Sequence, residues 1–356
     1  MRIACMVASQ YSFPLREDII YAPYEIATEI ADSLVAHGHE VTFYGAPSPG
    51  FRHKVISGKL DRELNNHPIF AQGGAREREK VYNLFDQYLL MLLYKDAQAG
   101  KYDVAHIHPI DRAMPLADLA PIPTVYTLHD PIYPWRANIF DLYDSPKQHI
   151  VSISDSQRSW APRLNYAKTI YNGIDTKRYA FSEKAGDGFM FSGRLLPQKG
   201  VKEAAMAANK IGAKLDIVGR TYPENSYFKD DVIPHLNDRV RVLEVGRDEL
   251  PGLYGRAKAL LFPILWEEPF GLVMVEAMSC GTPVIAFRHG SVPEVVKDGV
   301  TGFIVDTVEE MAEAMKKIDR IDRRACRKWV EENFTVERMA AEYEALFLDL
   351  TRNRAG

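Results

Sequence analysis

Two doubly wound parallel-sheet domains of the α/β class, facing a cleft, are the fold that this sequence predicts, and three observations predict it. The chain has 356 residues, more than a single hydrophobic core usually serves. Short apolar runs alternate with amphipathic stretches, and β-α-β order of this kind implies parallel strands joined by crossover helices. The alternation occurs twice, on either side of a sharp turn at Tyr171-Asn172-Gly173-Ile174-Asp175. The expected division is an amino-terminal domain over residues 1–172, a carboxyl-terminal domain over 173–336, and a last helix over 337–356 that returns to the first domain.

The first series opens with Ile3 to Ala8. This apolar run reads as a buried strand and not as a secretion signal, because no charged stretch leads into a long hydrophobic core. Tyr24 to Ala36 has helical spacing, His37-Gly38-His39 stops it, and Val41 to Tyr44 is the second strand. Phe51 to Lys80 is polar and irregular. A helix over Val81 to Ala97 follows, then strands at Val104 to His108, Thr124 to His129 and Val151 to Ser154. The polar, glycine-containing segment Ser182 to Gly188 reads as the inter-domain connection. The second series places strands at Phe189 to Ser192, Leu215 to Val218, Val240 to Val245, Ala259 to Phe262, Val284 to Ala286 and Phe303 to Val305. Helices fall between most of them, and the amphipathic pattern from Arg338 to Leu350 predicts the final helix.

Charge and cysteine content exclude several classes of function. Lys and Arg number 44 against 48 Asp and Glu, a formal net charge of −4 with no long basic tract, which argues against a nucleic-acid partner. Cys5, Cys280 and Cys326 have no metal-binding spacing and leave an odd thiol, as suits a reducing cytoplasm. No run reaches the ~18 apolar residues of a membrane-spanning helix. The sequon Asn333-Phe334-Thr335 has no role in a cytoplasmic chain. Arg52, Lys54, Lys59 and Arg62 offer at most a weak peripheral membrane contact, diluted by Asp61 and Glu63.

Ligands of open parallel sheets bind at the carboxyl ends of strands, so the residues that follow strands carry the functional reading. Glu268 to Glu276, EPFGLVMVE, sets two carboxylates around a turn made by Pro269 and Gly271. Leu272, Val273, Val275, Ala277 and Met278 then suit a buried helix. Glu268 falls in the loop and Glu276 one to two turns inside the helix, so both approach one ligand at the helix's positive end. Carboxylates accept bonds from sugar hydroxyls, and free first-turn amides take phosphate oxygens, which is the pattern of a sugar nucleotide. The alternative is a pair of solvated acids, because acidic residues favour first turns in general.

After Phe189 to Ser192 comes GRLLPQKG, in which Arg194 and Lys199 bracket a turn. A forked guanidinium and a mobile ammonium suit a diphosphate, although such a pair in isolation is commonly solvated. His129 ends a strand of the first domain. From the opposite wall it would bond a sugar hydroxyl or assist charge at the anomeric carbon, with a structural histidine as the alternative. His106 and His108 are assigned to packing or loop support. The loop Ser9 to Pro14 lacks Gly-x-Gly-x-x-Gly, which disfavours hydride transfer with a dinucleotide. Aromatic residues gather in first-domain loops, and Tyr11, Tyr24, Tyr133 and Trp135 are the candidates for stacking an acceptor.

GRLLPQKG, VGR at Val218 to Arg220, EPFGLVMVEAMSCGTPVIAF, GSVPEVVKDGVTGFIV, ISDSQR and YNGID together resemble the family-4 retaining glycosyltransferases of GT-B fold, with two Rossmann-like domains. The resemblance spans nearly the whole chain and is densest from Gly193 to Val305. Within it, GSVPEVV from Gly290 is most similar to the avilamycin-type, tetrahydrobiopterin-glucosyltransferase-like branch. The resemblance implies that Arg194 and Lys199 hold the donor diphosphate and stabilise it as leaving group. It implies Glu268 at the donor sugar's hydroxyls, Glu276 at the ribose and His129 near the sugar. It implies that Phe270, Gly271 and Leu272 form the helix entry whose amides meet the donor, with Pro269 beside them at the donor, and that Gly193, Gly219 and Arg220 belong to the neighbouring donor loops. It also implies that the region Val245 to Arg247, with Val245 and Gly246 at the donor, corresponds to the loop that borders the nucleobase.

One departure stands out. Many members carry a glycine-rich loop after the first strand, where this chain reads SQYSFPLREDIIYAPYE, with Glu25 and Ile19-Ile20-Tyr21 reshaping that pocket. The implied reaction is transfer of a hexose from a nucleotide diphosphate sugar, UDP-linked in preference to GDP-linked, to a small-molecule, glycan or lipid-linked hydroxyl acceptor. Neither a metal nor a separate cofactor is implied. The alternatives are a nucleotide-sugar epimerase on the same fold and a catalytically silent sugar-nucleotide-binding protein.

Overall fold

The computed structural model describes residues 1–352 apart from Glu17, Asp18, Ile20, residues 65–67 and 69–74, Asp144, Pro146 and residues 222–224. Ile20, part of the stretch expected to reshape the first-loop pocket, therefore lies outside the described residues. Among the described residues the strands form two sheets, and every paired strand in them runs parallel. The chain divides into two units, the first ending its main run at Ile170 and regaining the last helix, the second spanning Ser154–Gln157 and Tyr171–Thr335.

In the first unit β1 (Arg2–Met6), β2 (Glu40–Tyr44), β3 (Lys54–Ile56), β4 (Val104–Ile107), β5 (Thr124–Thr127), β6 (Gln148–Ser152) and β7 (Tyr166–Thr169) lie in the order β3-β2-β1-β4-β5-β6-β7. The order reverses between β1 and β4. Connections leave neighbouring strands in opposite directions at such a point and open a crevice at their carboxyl ends. β4 and β5 are buried along their whole length, as strands covered on both faces must be. On one face the helices Ala22–Ala36 and Val336–Arg352 bring Ile26, Ile30, Leu34, Met339, Tyr343 and Phe347 onto Ile3, Phe43 and Val104. The helix Ala75–Gln98 covers the other face with Leu89, Leu90 and Leu93.

The last helix is also fixed by polar contacts. Tyr343 Oη lies 2.8 Å from Thr127 Oγ1, which lies 2.8 Å from His106 Nε2. The two oxygens of Glu344 lie 2.7 Å from His37 Nδ1 and His39 Nε2.

In the second unit β8 (Gly188–Ser192), β9 (Lys214–Val218), β10 (Val240–Leu243), β11 (Leu260–Phe262), β12 (Val284–Phe287) and β13 (Gly302–Val305) lie in the order β10-β9-β8-β11-β12-β13. The reversal falls between β8 and β11. GRLLPQKG follows the first of these strands and the Glu268 loop follows the second, so both leave the strand ends that flank the crevice.

Four expectations need correction. Ser182 to Gly188 is not an inter-domain connection: Ser182 N donates to Cys280 O at 3.0 Å and Gly186 N to Arg256 O at 2.8 Å, both inside the second unit. Passage between units occurs at Ile170–Tyr171, just before the 172/173 boundary read from the turn, and Ser154–Gln157 joins the second unit. There Asp155 N and Ser156 N donate to Glu294 at 2.8 and 2.7 Å. β3 and β7 were not foreseen, since three or four residues without apolar alternation become strands only through their ladder partners. β10 stops at Leu243, short of Val245, where Glu244 turns to accept from Thr221 N at 2.7 Å. No helix among the described residues is long and apolar enough to cross a membrane.

Phe347 is fully buried between the last helix and the first sheet. Its replacement by alanine is expected to cost about 3–5 kcal/mol in chemical denaturation. Asp349→Ala, on the exposed side of the same helix, should stay within about 0.5 kcal/mol.

Candidate functional site

The crevice of the second sheet is shaped by glycines. A Cβ on Gly219, just past β9, would meet Gly193 O at 2.4 Å, so the backbones beyond β8 and β9 approach as only glycine allows. Beyond Gly193 the chain makes a short 3-10 turn over Pro197–Lys199 that ends at Gly200, with φ 72°. A Cβ on Gly200 would stand 1.8 Å from Pro263 O, directly after β11. This contact locks the Lys199 turn to the strand that launches the Glu268 loop.

Lys199 and Glu268 meet as a result. Lys199 Nζ donates to Glu268 Oε2 at 2.5 Å, and Trp266 Nε1 donates to the same oxygen at 3.0 Å. The ammonium also lies 5.0 Å from the centroid of the Trp266 ring. The side chains of the pair are only 15% and 12% exposed. A shielded ion pair of this kind costs several kcal/mol in desolvation and persists where added hydrogen bonds compensate. Arg194 is exposed, and its guanidinium makes no ion pair among the described residues. Arg220 is exposed just past β9, and Gly246, in an exposed turn past β10, donates its amide to Glu249 Oε1 at 3.0 Å. Val245 is half-buried beside it.

A second clamp holds the Glu268 loop. Gly290 has φ 55°, and a Cβ there would come within 2.3 Å of Glu268 O and 2.4 Å of Glu268 N. Gly290 N donates to Glu267 Oε2 at 2.6 Å, Ser291 N to Glu268 O at 3.0 Å and Ser291 Oγ to Phe270 O at 2.7 Å. GSVPEVV is thus the segment against which EPFG is laid. Gly271, with φ 79°, begins the helix Leu272–Ser279, and no side chain among the described residues caps its amides. Pro269 and Phe270 are buried, the Phe270 ring lying 5.9 Å from that of Phe334, and Pro269 has no N–H to offer a ligand. Glu276 Oε2 accepts from the buried Tyr254 hydroxyl at 3.0 Å, and that hydroxyl also lies 3.0 Å from Ser192 Oγ at the end of β8. Sequence reasoning missed Trp266, Gly200, Gly290 and Tyr254. Trp266, two residues before Glu268 in a strand-following loop, had a findable signal; the others act through long-range contacts.

In the first unit His129 follows β5, and its Nε2 lies 2.8 Å from His108 Nδ1, the two rings stacked at 5.1 Å. His106 packs on His108 at 4.3 Å. Burial lowers His129 to about 4, His106 to about 3 and His108 well below the usual imidazole range, so all three are neutral at pH 7. Cys5 on β1 is the ladder partner of His106, and donor atoms of Cys5, His106 and His108 lie within 4.8 Å of one another. Linear spacing hid this grouping. Burial raises the Cys5 thiol far above its ordinary range, which opposes the deprotonation that metal ligation needs.

A cavity at the β1/β4 reversal is lined by Gln10, Tyr21, His108, Arg112, His129 and Arg136 among others. Arg136 is committed to Asp111, with Nε and NH2 donating to its two oxygens at 2.8 and 2.9 Å. Tyr24 is corrected: it is 1% exposed, and its hydroxyl bonds the carbonyls of Ala8 and Tyr11, so it braces the first loop and is no stacking platform. Tyr11 is half-buried against Tyr21 and Tyr24, with ring centroids at 5.7 and 6.0 Å. Tyr133 and Trp135 are exposed at the start of the helix Pro134–Phe140.

Four amides of the loop that replaces the glycine-rich segment are engaged internally. Ser9 N donates to Asp86 Oδ1 at 2.8 Å, Tyr11 N to Tyr24 Oη at 3.3 Å, Ser12 N to Glu63 Oε2 at 2.8 Å and Phe13 N to Ser48 Oγ at 2.8 Å.

Residues 26–178 match the family described as Glycosyltransferase Family 4, and residues 178–334 match Glycosyl transferases group 1. The chain belongs to the GT-B glycosyltransferases of this group 1/family 4 type. It is 25% identical to N-acetyl-alpha-D-glucosaminyl L-malate synthase of Bacillus anthracis over 92% of this chain and 94% of that protein. It spans less than half the length of the next curated relatives that it matches. In fold it is similar to sucrose-phosphate synthase from Thermosynechococcus elongatus, with a TM-score of 0.79, 19% identity and 99% of each chain covered. It is likewise similar to HepE of Anabaena in complex with UDP-glucose, with a TM-score of 0.71, 19% identity and 97% and 99% of the chains covered. These two likenesses concern the fold of the glycosyltransferase and extend to no residue role.

Two measurements follow from this geometry. Gly290→Ala should push the Glu268 loop aside and lower glycosyl-transfer turnover by about tenfold or more, since a 1 Å misplacement costs up to about a hundredfold in rate; unchanged turnover would contradict the clamp. Asp86, fully buried, is raised to about 6 by burial, against which its bonds from Ser9 act. A carboxyl raised on folding contributes stability that is fully present below its unfolded value and is lost as pH rises through the folded one. Melting temperature should therefore decline between about pH 4 and 7 by the equivalent of about 2–3 kcal/mol, and Asp86→Asn should remove that component.

Proposed function

We propose that this glycosyltransferase moves a hexose from a nucleotide diphosphate sugar, UDP-linked in preference to GDP-linked, to a hydroxyl acceptor, with retention at the anomeric carbon and with no divalent metal. The observation that carries this reading is the shielded Lys199–Glu268 pair at the ends of β8 and β11. An ammonium and a carboxylate held side by side there match the two halves of a sugar nucleotide. Lys199 takes an oxygen of the departing diphosphate, with the exposed Arg194 as the second cation, and Glu268 accepts from sugar hydroxyls. Two fixed cations neutralise the leaving group, as a divalent ion does elsewhere.

Uncapped amides at the start of Leu272–Ser279 add a positive helix end for phosphate oxygens. Glu276 is assigned to the ribose, Val245 and Gly246 to the nucleobase, and His129 to the donor sugar. Four amides of the first loop, those of Ser9, Tyr11, Ser12 and Phe13, are already taken up by Asp86, Tyr24, Glu63 and Ser48, which supports a donor held mainly by the second unit's cations and amides. The UDP-glucose bound in HepE supports a UDP-linked donor. The name of the Bacillus anthracis relative supports a small hydroxylated acceptor, with glycan and lipid-linked acceptors as further classes. Retention follows if the acceptor attacks from the face that the diphosphate leaves, a phosphate oxygen taking its proton. GSVPEVV supports the avilamycin-type branch, and the three free cysteines support a cytoplasmic location.

Calorimetric titration with UDP, GDP, UDP-glucose and GDP-mannose, with and without chelator, tests the donor. Selective UDP binding insensitive to chelator is expected; binding that disappears with chelator would overturn the metal-free reading. Arg194→Ala should lower turnover about a hundred- to a thousandfold while melting like the wild type, because Arg194 makes no ion pair among the described residues. Near-normal turnover would remove Arg194 from the diphosphate. Sugar-isomer exchange without acceptor would point to an epimerase instead.

A further inference from the structure

The orientation of His129 is set by a second histidine whose own hydrogen-bonding state is constrained. A neutral imidazole carries one donor and one acceptor nitrogen. His108 Nδ1 and His129 Nε2 are 2.8 Å apart, so one of the two carries the shared proton. The other nitrogen of His108, Nε2, is buried and has no hydrogen-bond partner among the described residues. If His129 donated, His108 would carry its proton on Nε2 and leave a buried N–H orphaned. If His108 donates, Nε2 is only a bare lone pair. Orphaned buried N–H groups are rarer than under-used acceptors, because a buried donor loses its full solvation.

We infer that His108 is a positioning residue that holds His129 as its Nδ1–H tautomer, so that His129 offers a hydrogen-bond donor, and not a base, to a sugar hydroxyl entering the first unit's cavity. His129 lines that cavity, and its one hydrogen bond among the described residues uses Nε2, which leaves Nδ1 for a ligand. The groups packed on His108 do not compete for the shared proton. His106 Nε2 is engaged with Thr127 Oγ1 at 2.8 Å, and the Cys5 thiol is buried and protonated. Asp111, Arg112, Asp130 and Arg136 line the same cavity and set its polarity. The sugar as ligand rests on the proposed glycosyl transfer, whereas the tautomer does not.

Nitrogen NMR of the full chain, labelled at histidine, reads the tautomer directly. The protonated-type signal of His129 is expected at Nδ1 and the unprotonated type at Nε2. His108→Asn places an amide nitrogen near the position of Nδ1 and should preserve that spectrum, while His108→Gln, which mimics Nε2, and His108→Ala should not. Turnover of UDP-glucose should fall about 10–100-fold in the Ala and Gln variants and recover for the most part in Asn. A wild-type proton on His129 Nε2, or rescue by Gln equal to that by Asn, would overturn the inference. If the wild type turned over no donor, the transfer reading would fail while the spectrum still decided the tautomer.

Discussion

The approach of two loop backbones at the ends of β8 and β11 is the constraint on which the candidate donor site depends. Gly200 lies so near Pro263 O, and Gly290 so near the Glu268 backbone, that no side chain fits at either place. Those contacts bring a lysine and a glutamate 69 positions apart in sequence to 2.5 Å. A charged pair so shielded from water is costly unless its remaining valences are met. The indole N–H of Trp266 and its ring face meet them. The site is thus pre-organised by backbone geometry before any ligand arrives, which is the condition under which fixed charges act most strongly on a developing one.

The first unit solves a different problem. In its first loop Asp86, Tyr24, Glu63 and Ser48 take up the amides of Ser9, Tyr11, Ser12 and Phe13. That arrangement ties the loop to the rest of the unit. It also accounts for Tyr24, whose ring belongs to the core and whose hydroxyl holds backbone carbonyls. Around the β1/β4 reversal, burial keeps three histidines neutral, and a neutral histidine is defined chemically by which nitrogen bears its proton.

The last helix ties distant parts of the chain into this unit. Tyr343 continues a hydrogen-bonded series through Thr127 to His106, two residues from the His108–His129 pair. Met339, Tyr343 and Phe347 seal the same sheet face that the helix Ala22–Ala36 covers. Packing at the far end of the sequence therefore closes the layer on which those histidines rest.

Local chemistry alone made much of this legible. Apolar runs marked most strands, since a strand buried on both faces has no polar residue to spare. EPFG foretold the helix start at Leu272 because Pro269 and Gly271 mark a turn and an apolar run follows it. Arg194, Lys199, Glu268 and Glu276 could be singled out because chemistry at strand ends needs charge. Only the tertiary structure decided which of them meet: Lys199 joins Glu268, while Glu276 turns to Tyr254. It alone paired β3 and β7, took Tyr24 into the core and set Cys5 beside His106. The physical reason is range. Periodicity and turn chemistry act over a few residues, whereas ladder register, close glycine contacts and burial are properties of neighbours that the linear chain keeps far apart.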